Sequence, residues 1–197
     1  MAPRKYYMDR RAEAAGQTRK RIVEATYALH AEKGVAATTF RDISARADVG
    51  IGTVYHHFPT YDDVIAACGD HTMALGRPPR AEMFDGVDSA VERVRILVRE
   101  VFAFYGRAPI IGRVRPERYR FAVLEKAFHH EEESRRTLIA EALRGTRAGT
   151  RLRALVFALL DFNTYASLAA AGLDHEAGVD EITTTILARL RAKGRKG

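Results

Sequence analysis

Apolar residues recur at helical spacing along almost the whole of this chain, and no stretch alternates as a half-buried strand would. That periodicity confines the fold to the all-α class. Ile22, Ala25, Thr26 and Leu29 share one helix face, and Gly34 after Lys33 supplies a natural stop. Thr39 with Asp42 three positions on makes a capping box, opening a second helix that carries Ile43 and Ala47. Asp48-Val49-Gly50 then interrupts the pattern with residue types that tolerate unusual backbone angles, which predicts a tight turn. Ile51 to Phe58 has room for only two helical turns before Pro59. Thr60 and Asp63 repeat the cap for a helix through Val64, Ile65 and Cys68. The strongest break is residues 76–86, glycine at both ends around a Pro-Pro pair, and it reads as a linker. Beyond it Val91, Val94, Val98, Val101 and Tyr105 trace an amphipathic helix, with further helical stretches over 116–144, 150–172 and 178–192.

Composition narrows the class of protein. In 197 residues, 47% are hydrophobic, enough for a core in one or two domains. Cys68 is the only cysteine, so an intrachain disulfide is impossible. No run of about 18 apolar residues suggests a membrane span, and the opening MAPRKYYMDRRAEAAG lacks the apolar region of a signal peptide. A cytoplasmic location with no membrane partner is the expectation. The net charge of +7 makes nucleic acid the first partner to consider. Its distribution is uneven: residues 1–21 hold seven basic and two acidic side chains, whereas 22–75 hold three basic and seven acidic. Bulk charge therefore cannot drive recognition by the segment around the turn.

Two short helices across a tight turn, the second bearing small, hydroxyl and aromatic residues, meet the demands of a helix-turn-helix, with one helix bracing the backbone and the next entering the major groove. Thr39 and Arg41 at a helix start suit a phosphate. Ile51, Thr53 and His56 are expected on the groove floor, and Gly52 lets the backbone come close. Val54 and Phe58 should pack inward. The segment TFRDISARADVGIGTVYHHFPTYDDVI, residues 39–65, resembles the DNA-binding signature of the TetR (TetR/AcrR) family of transcriptional regulators. Ile43, Ala47, Val49, Gly52-Thr53-Val54-Tyr55, His57-Phe58 and the acidic pair before Val64 sit where that family's pattern places them. The resemblance covers about 60 residues. It implies phosphate contacts for Tyr55 and His57. Gly50, where the family commonly has a capping side chain, leaves backbone amides free. Tyr61 replaces a frequent phosphate-binding lysine and keeps one uncharged hydrogen bond. Arg4, Lys5, Arg10 and Arg11 form an arm that either follows the DNA backbone or a minor groove, or is a solvated tail.

The resemblance further implies an arm over 1–17, a three-helix DNA-binding domain over 18–75 with the helix-turn-helix at about 39–58, the linker at 76–86, and an effector-binding and dimerisation domain over 87–197, about nine helices in all. Leu155, Leu159, Ala166, Ala170, Ile182, Ile186 and Leu190 are the expected faces of a homodimer bundle. Phe102, Tyr105, Tyr119, Phe121, Phe128 and Phe162, with Asn163 as polar anchor, are the candidates for a cavity holding an apolar or anionic amphiphile. Core packing is the plainer reading for about half of these aromatics. His129 and Glu133 lie one helical turn apart but lack a full ligand set, so no metal and no cofactor are expected. Cys68 lies amid apolar residues and reads as packing. No hydrolase, metalloprotease or phosphate-loop motif is present, so the chain is not expected to be an enzyme. The expected function is a ligand-responsive repressor released from a palindromic double-stranded DNA operator. The alternatives are an activator or effector-independent regulator, or a helical small-molecule-binding or catalytic protein that uses its N-terminal unit for a protein contact.

Overall fold

The computed structural model describes residues 3–194, with side chains described over 12–192. Ten α-helices account for most of it: α1 Pro3–Lys33, α2 Phe40–Ala47, α3 Ile51–His57, α4 Tyr61–Gly76, α5 Ala90–Arg107, α6 Ile110–Val114, α7 Ala122–Ala142, α8 Thr150–Leu159, α9 Phe162–Ala170 and α10 His175–Gly194. Among the described residues there is no strand. Two short 3-10 turns, Ala81–Phe84 and Arg115–Arg120, complete the order. No single described helix is long and apolar enough to cross a membrane.

The chain divides into two compact units, residues 1–74 with 113–127, and residues 75–112 with 128–197. The first unit is built around Ile22, Ile43, Val54, Phe58 and Val64, each at most 1% exposed. Every one of these falls on the apolar stripe that the sequence predicts. Residues 113–127 group with this unit rather than with the C-terminal domain in which their sequence position places them. Two long-range contacts tie them in: the Glu117 carboxylate accepts the Ala36 backbone N–H at 2.6 Å, and Phe121 packs against Tyr61 with ring centroids 6.2 Å apart.

Further differences from the sequence reading have simple causes. Residues 3–17 continue α1 rather than forming a separate arm, because Ala12, Glu13, Ala14 and Ala15 are good helix formers and carry the helix through the single Gly16. The side chains of Arg4, Lys5, Arg10 and Arg11 lie outside the described residues. Residues 150–172 form two helices, with Asp161 capping the second through its bond to the Asn163 N–H at 3.0 Å. The stretch at 76–86 is held down rather than loose: Phe84 is buried, and Arg107 donates to the Gly76 carbonyl at 2.8 Å.

Candidate nucleic-acid interface

The interface is assembled from caps and one left-handed turn. Helix α2 starts at the Thr39–Asp42 capping box, with both reciprocal bonds present. It ends at Asp48, whose backbone is left-handed at φ 51° and ψ 55°. Asparagine and aspartate are among the few non-glycine residues that accept that conformation. Ser44 locks the turn by donating to the Val49 carbonyl at 2.6 Å. Helix α3 follows immediately from Gly50, closes on Phe58 N–H donating to Val54 O at 2.8 Å, and is anchored beneath by buried Val54. A second capping box between Thr60 and Asp63 then sets the start of α4.

With Val54 and Phe58 turned inward, the outer face of α3 presents Ile51, Gly52, Tyr55 and His56, all exposed, with Thr53 and His57 half-buried at its margins. Ile51 and Tyr55 are 45% and 49% exposed, which is costly for large apolar surfaces that have nothing to cover them. Tyr55 is braced edge-on by Phe40 at 4.7 Å, and Phe40 in turn by Tyr61 at 5.7 Å. A Cβ at Gly52 would meet nothing within 4 Å, so nothing in the fold itself requires glycine there.

The electrostatics are settled by which cations are already used. Arg46 makes a two-pronged pair with Glu32 at 2.9 and 2.7 Å, and Lys33 pairs with Asp42 at 2.8 Å. Lys33, with the hydrogen bonds from Thr39, holds the Asp42 carboxyl down to about 2. Of the three basic residues in 22–75, Arg41 is exposed and makes no such pair among the described residues. Arg19 of α1 joins it, with its guanidinium 4.9 Å over the Phe58 ring. Burial, together with the charges of His56 and Arg19, pushes the His57 imidazole below its ordinary value. His57 is therefore neutral at pH 7 and offers one N–H. Arg19 was not among the candidates read from the sequence; the signal for it was its position three residues before Ile22 on the helix that carries the core.

Two expected contacts are spent inside the protein. The Thr39 hydroxyl donates to Asp42 at 2.7 Å, so it has no hydrogen left for a phosphate. The Tyr61 hydroxyl donates to the Val35 carbonyl at 2.8 Å and lies 3.2 Å from His30 Nε2. Burial pushes His30 down to about 4 and likewise raises the Tyr61 hydroxyl; because that hydroxyl gives its hydrogen to Val35, it accepts from His30 in the tautomer that carries the proton on Nε2. Tyr61 thus braces the α1–α2 junction from within. Cys68 is buried, and burial pushes its thiol up to about 12, leaving it inert near neutral pH.

In the second unit the effector candidates separate. Phe102, Tyr105 and Phe128 are buried, and Phe102, Tyr105, Phe162 and Tyr165 form a cluster of contacts at 5.4–6.0 Å. A cavity of about 60 Å³ opens beside Phe102 and Tyr165. Tyr119 is 81% exposed and, with Phe121, belongs to the first unit. Asn163 is exposed at the start of α9 and is no interior anchor. Of the dimer candidates, Ile182 and Ile186 are core residues of the single chain at 6% and 0% exposure, while Leu155, Leu159, Ala166 and Leu190 are half-buried and Ala170 exposed. His129 and Glu133 pair with each other at 3.2 Å on the surface, and the described residues hold no group of three metal-binding side chains.

Residues 22–68 match the family model described as bacterial regulatory proteins, tetR family. Over that segment the chain is similar to the tetR family of regulators. Its relatives include the transcriptional repressor KstR of Mycolicibacterium smegmatis, 33% identical over 85 residues, 43% of this chain and 36% of that protein. KstR of Rhodococcus jostii is 28% identical over 123 residues, 58% of this chain and 53% of that protein. The matched part thus spans between about a third and a half of these relatives. The fold matches that of the hemolysin II transcriptional regulator HlyIIR with a TM-score of 0.65 at 14% identity, covering 87% of this chain and 97% of that one. These relatives are named as regulators of transcription.

Proposed function

We propose that the protein is a sequence-specific repressor that binds a near-palindromic operator as a homodimer and is released by a small molecule held in its C-terminal unit. The carrying observation is the exposed Ile51, Gly52, Tyr55 and His56 face of α3, presented by a turn that the buried core and two capping boxes hold in place. Ile51 offers apolar contact to thymine methyls, Thr53 and His56 offer hydrogen bonds to base edges, and Gly52 admits the DNA backbone. Tyr55, neutral His57, Arg41 and Arg19 supply phosphate contacts, with Gly50 leaving its neighbouring amides uncovered. The basic N-terminal segment with Arg4, Lys5, Arg10 and Arg11 adds affinity without reading sequence. Leu155, Leu159, Ala166, Ala170 and Leu190 are the proposed dimer face, which would set two α3 helices about one DNA turn apart.

The named relatives are repressors, which favours release over recruitment as the mode of action. An effector that prefers a DNA-incompetent conformation by about 1–3 kcal/mol changes occupancy severalfold to a hundredfold. The test is a gel shift on the DNA upstream of the protein's own gene at two salt concentrations. A specific complex that Tyr55→Ala abolishes is expected; equal affinity for unrelated DNA overturns the reading. Deleting residues 1–14 is expected to weaken binding to every sequence and to flatten the salt dependence.

A further inference from the structure

A second opening in the C-terminal unit shares no lining residue with the cavity beside Phe102. It is a cleft of about 270 Å³ between the start of α5, the turn that joins α7 to α8, and the end of α10. Ala90, Val91, Leu187 and Leu190 make its apolar lining, and Arg147 and Arg191 are its charged groups. Leu187, Leu190 and Arg191 stand three and four positions apart, so one face of α10 supplies both floor and cation. Val91 is left 44% exposed.

The walls are fixed by bonds that run beneath them. Arg93 is buried and donates to the Val87 and Asp88 carbonyls just before α5 and to the Ala142 and Arg144 carbonyls at the end of α7, at 2.6–3.3 Å. It thereby holds the first turn of α5 at a set spacing from the turn that carries Arg147. That turn passes through Gly145 at φ 74°. The Thr146 hydroxyl closes it, donating to the Leu143 carbonyl at 2.7 Å and accepting from the Ala148 N–H at 3.2 Å. A cleft whose walls already stand in place costs a ligand little ordering.

Charge selects the occupant. No acidic side chain lines the cleft. Among the described residues neither Arg147 nor Arg191 has an ion pair or a hydrogen bond, whereas Arg144 is paired with Glu141 at 2.8 Å. Two open guanidinium groups beside an apolar floor suit an anion with a tail: the head accepts paired N–H groups, and the tail covers Val91 and Leu190. The chain's own Arg195 and Lys196, just beyond α10, carry the wrong charge for it. A second copy with its cleft on the same two-fold axis would set these arginines against their counterparts. We propose that the cleft binds a free single-chain amphiphile with an anionic head, carboxylate or phosphate, held by Arg147 and Arg191. Its volume lies just below the roughly 300 Å³ at which small-molecule sites begin, which suits a tail of medium length. The site deepens the ligand-responsive reading above and rests on it only for its regulatory meaning.

The test is calorimetric titration of the full chain with four probes that share one tail: octanoate, octyl phosphate, 1-octanol and octyltrimethylammonium. Sedimentation follows the oligomeric state alongside, because Leu190 also belongs to the proposed dimer face. The tighter of the two anions names the head and is expected to bind about tenfold or more tightly than octanol, with the cation no tighter than octanol. Arg147→Ala combined with Arg191→Ala is expected to bring that anion to the octanol value. Val91→Asp puts a negative charge in the cleft at an exposed first-turn position that an acid suits. It is expected to lower anion affinity about tenfold with the thermal melt unchanged, which keeps the test decisive should the double variant fold poorly. Anions that bind no better than octanol, an anion affinity unchanged in either variant, or binding confined to dissociated monomer overturns the site. DNA release is measured separately. An anion held through these arginines that leaves DNA affinity unchanged sustains the site and removes its regulatory meaning. Release by another molecule, undiminished in the double variant and with no anion binding, overturns the site and leaves the ligand-responsive reading standing.

Discussion

The two units satisfy their buried polar groups by different means. In the DNA-binding unit the partners are mostly close in sequence: Thr26 donates to Ile22 O and Thr38 to Gly34 O, each four residues back, and two capping boxes serve α2 and α4. In the C-terminal unit the buried polar groups reach far along the chain, Arg93 to carbonyls 49 and 51 positions away and Tyr105 to one 55 away. Local satisfaction makes a unit that takes the same shape wherever its short motifs occur, as a reading head must. Distant satisfaction ties a shape to many residues at once, as where Arg135 serves both the Tyr105 hydroxyl and the Leu160 carbonyl.

The comparison is broken most easily at Arg93. Arg93→Ala leaves four carbonyls without their donor and is expected to lower unfolding stability by about 3–5 kcal/mol in urea. A loss below about 1 kcal/mol would mean that the long-range bonds do not hold the unit. The DNA-binding unit answers to pH instead. His30 is neutral when folded, with its value pushed down to about 4, whereas the unfolded chain takes the proton near 6.5. Stability therefore falls as pH drops from 6.5 to 4, by about 3 kcal/mol, and falls no further from this source below 4. His30→Gln, which can still donate to Tyr61, should flatten that slope in denaturation curves taken across the window.

Smaller effects sharpen the contrast. Glu117→Ala removes the acceptor for Ala36 N–H and should cost about 1–2 kcal/mol. Gly34→Ala should be at least as damaging, since φ is +85° there and a Cβ would strike the Glu117 carboxylate. Gly52→Ala separates function from folding. It should raise stability by about 0.5–1 kcal/mol, because its Cβ has open space, while weakening DNA binding. Paired thermal melts and binding curves on one preparation read both.

How much was visible in the sequence follows the same division. The caps at Thr39 and Thr60, the turn at Asp48 and the inward Val54 and Phe58 depend on residues within four positions of each other, which is the range that periodicity and propensity report. Tyr61 and Thr39 looked available for phosphate because the sequence shows which donors exist but not which acceptors take them; Val35 O and Asp42 do. Tyr119, Phe121 and Asn163 were grouped with a cavity on residue type alone, although 113–127 returns to the first unit and α9 turns Asn163 outward. Ile182 and Ile186 look the same in sequence whether an apolar face meets its own chain or a second copy. Arg135 carried no signal, since a buried arginine inside a charged stretch reads as one more surface cation.

The central claim, that the α3 face reads a defined DNA sequence, is tested most directly by selecting bound duplexes from a random pool with the full-length protein and again with Tyr55→Ala. Enrichment of an inverted repeat whose half-sites lie about 10 base pairs apart or at a multiple of that, lost in the variant, is the predicted result. A pool that stays random with the unmodified protein, or a motif that survives Tyr55→Ala unchanged, would contradict it.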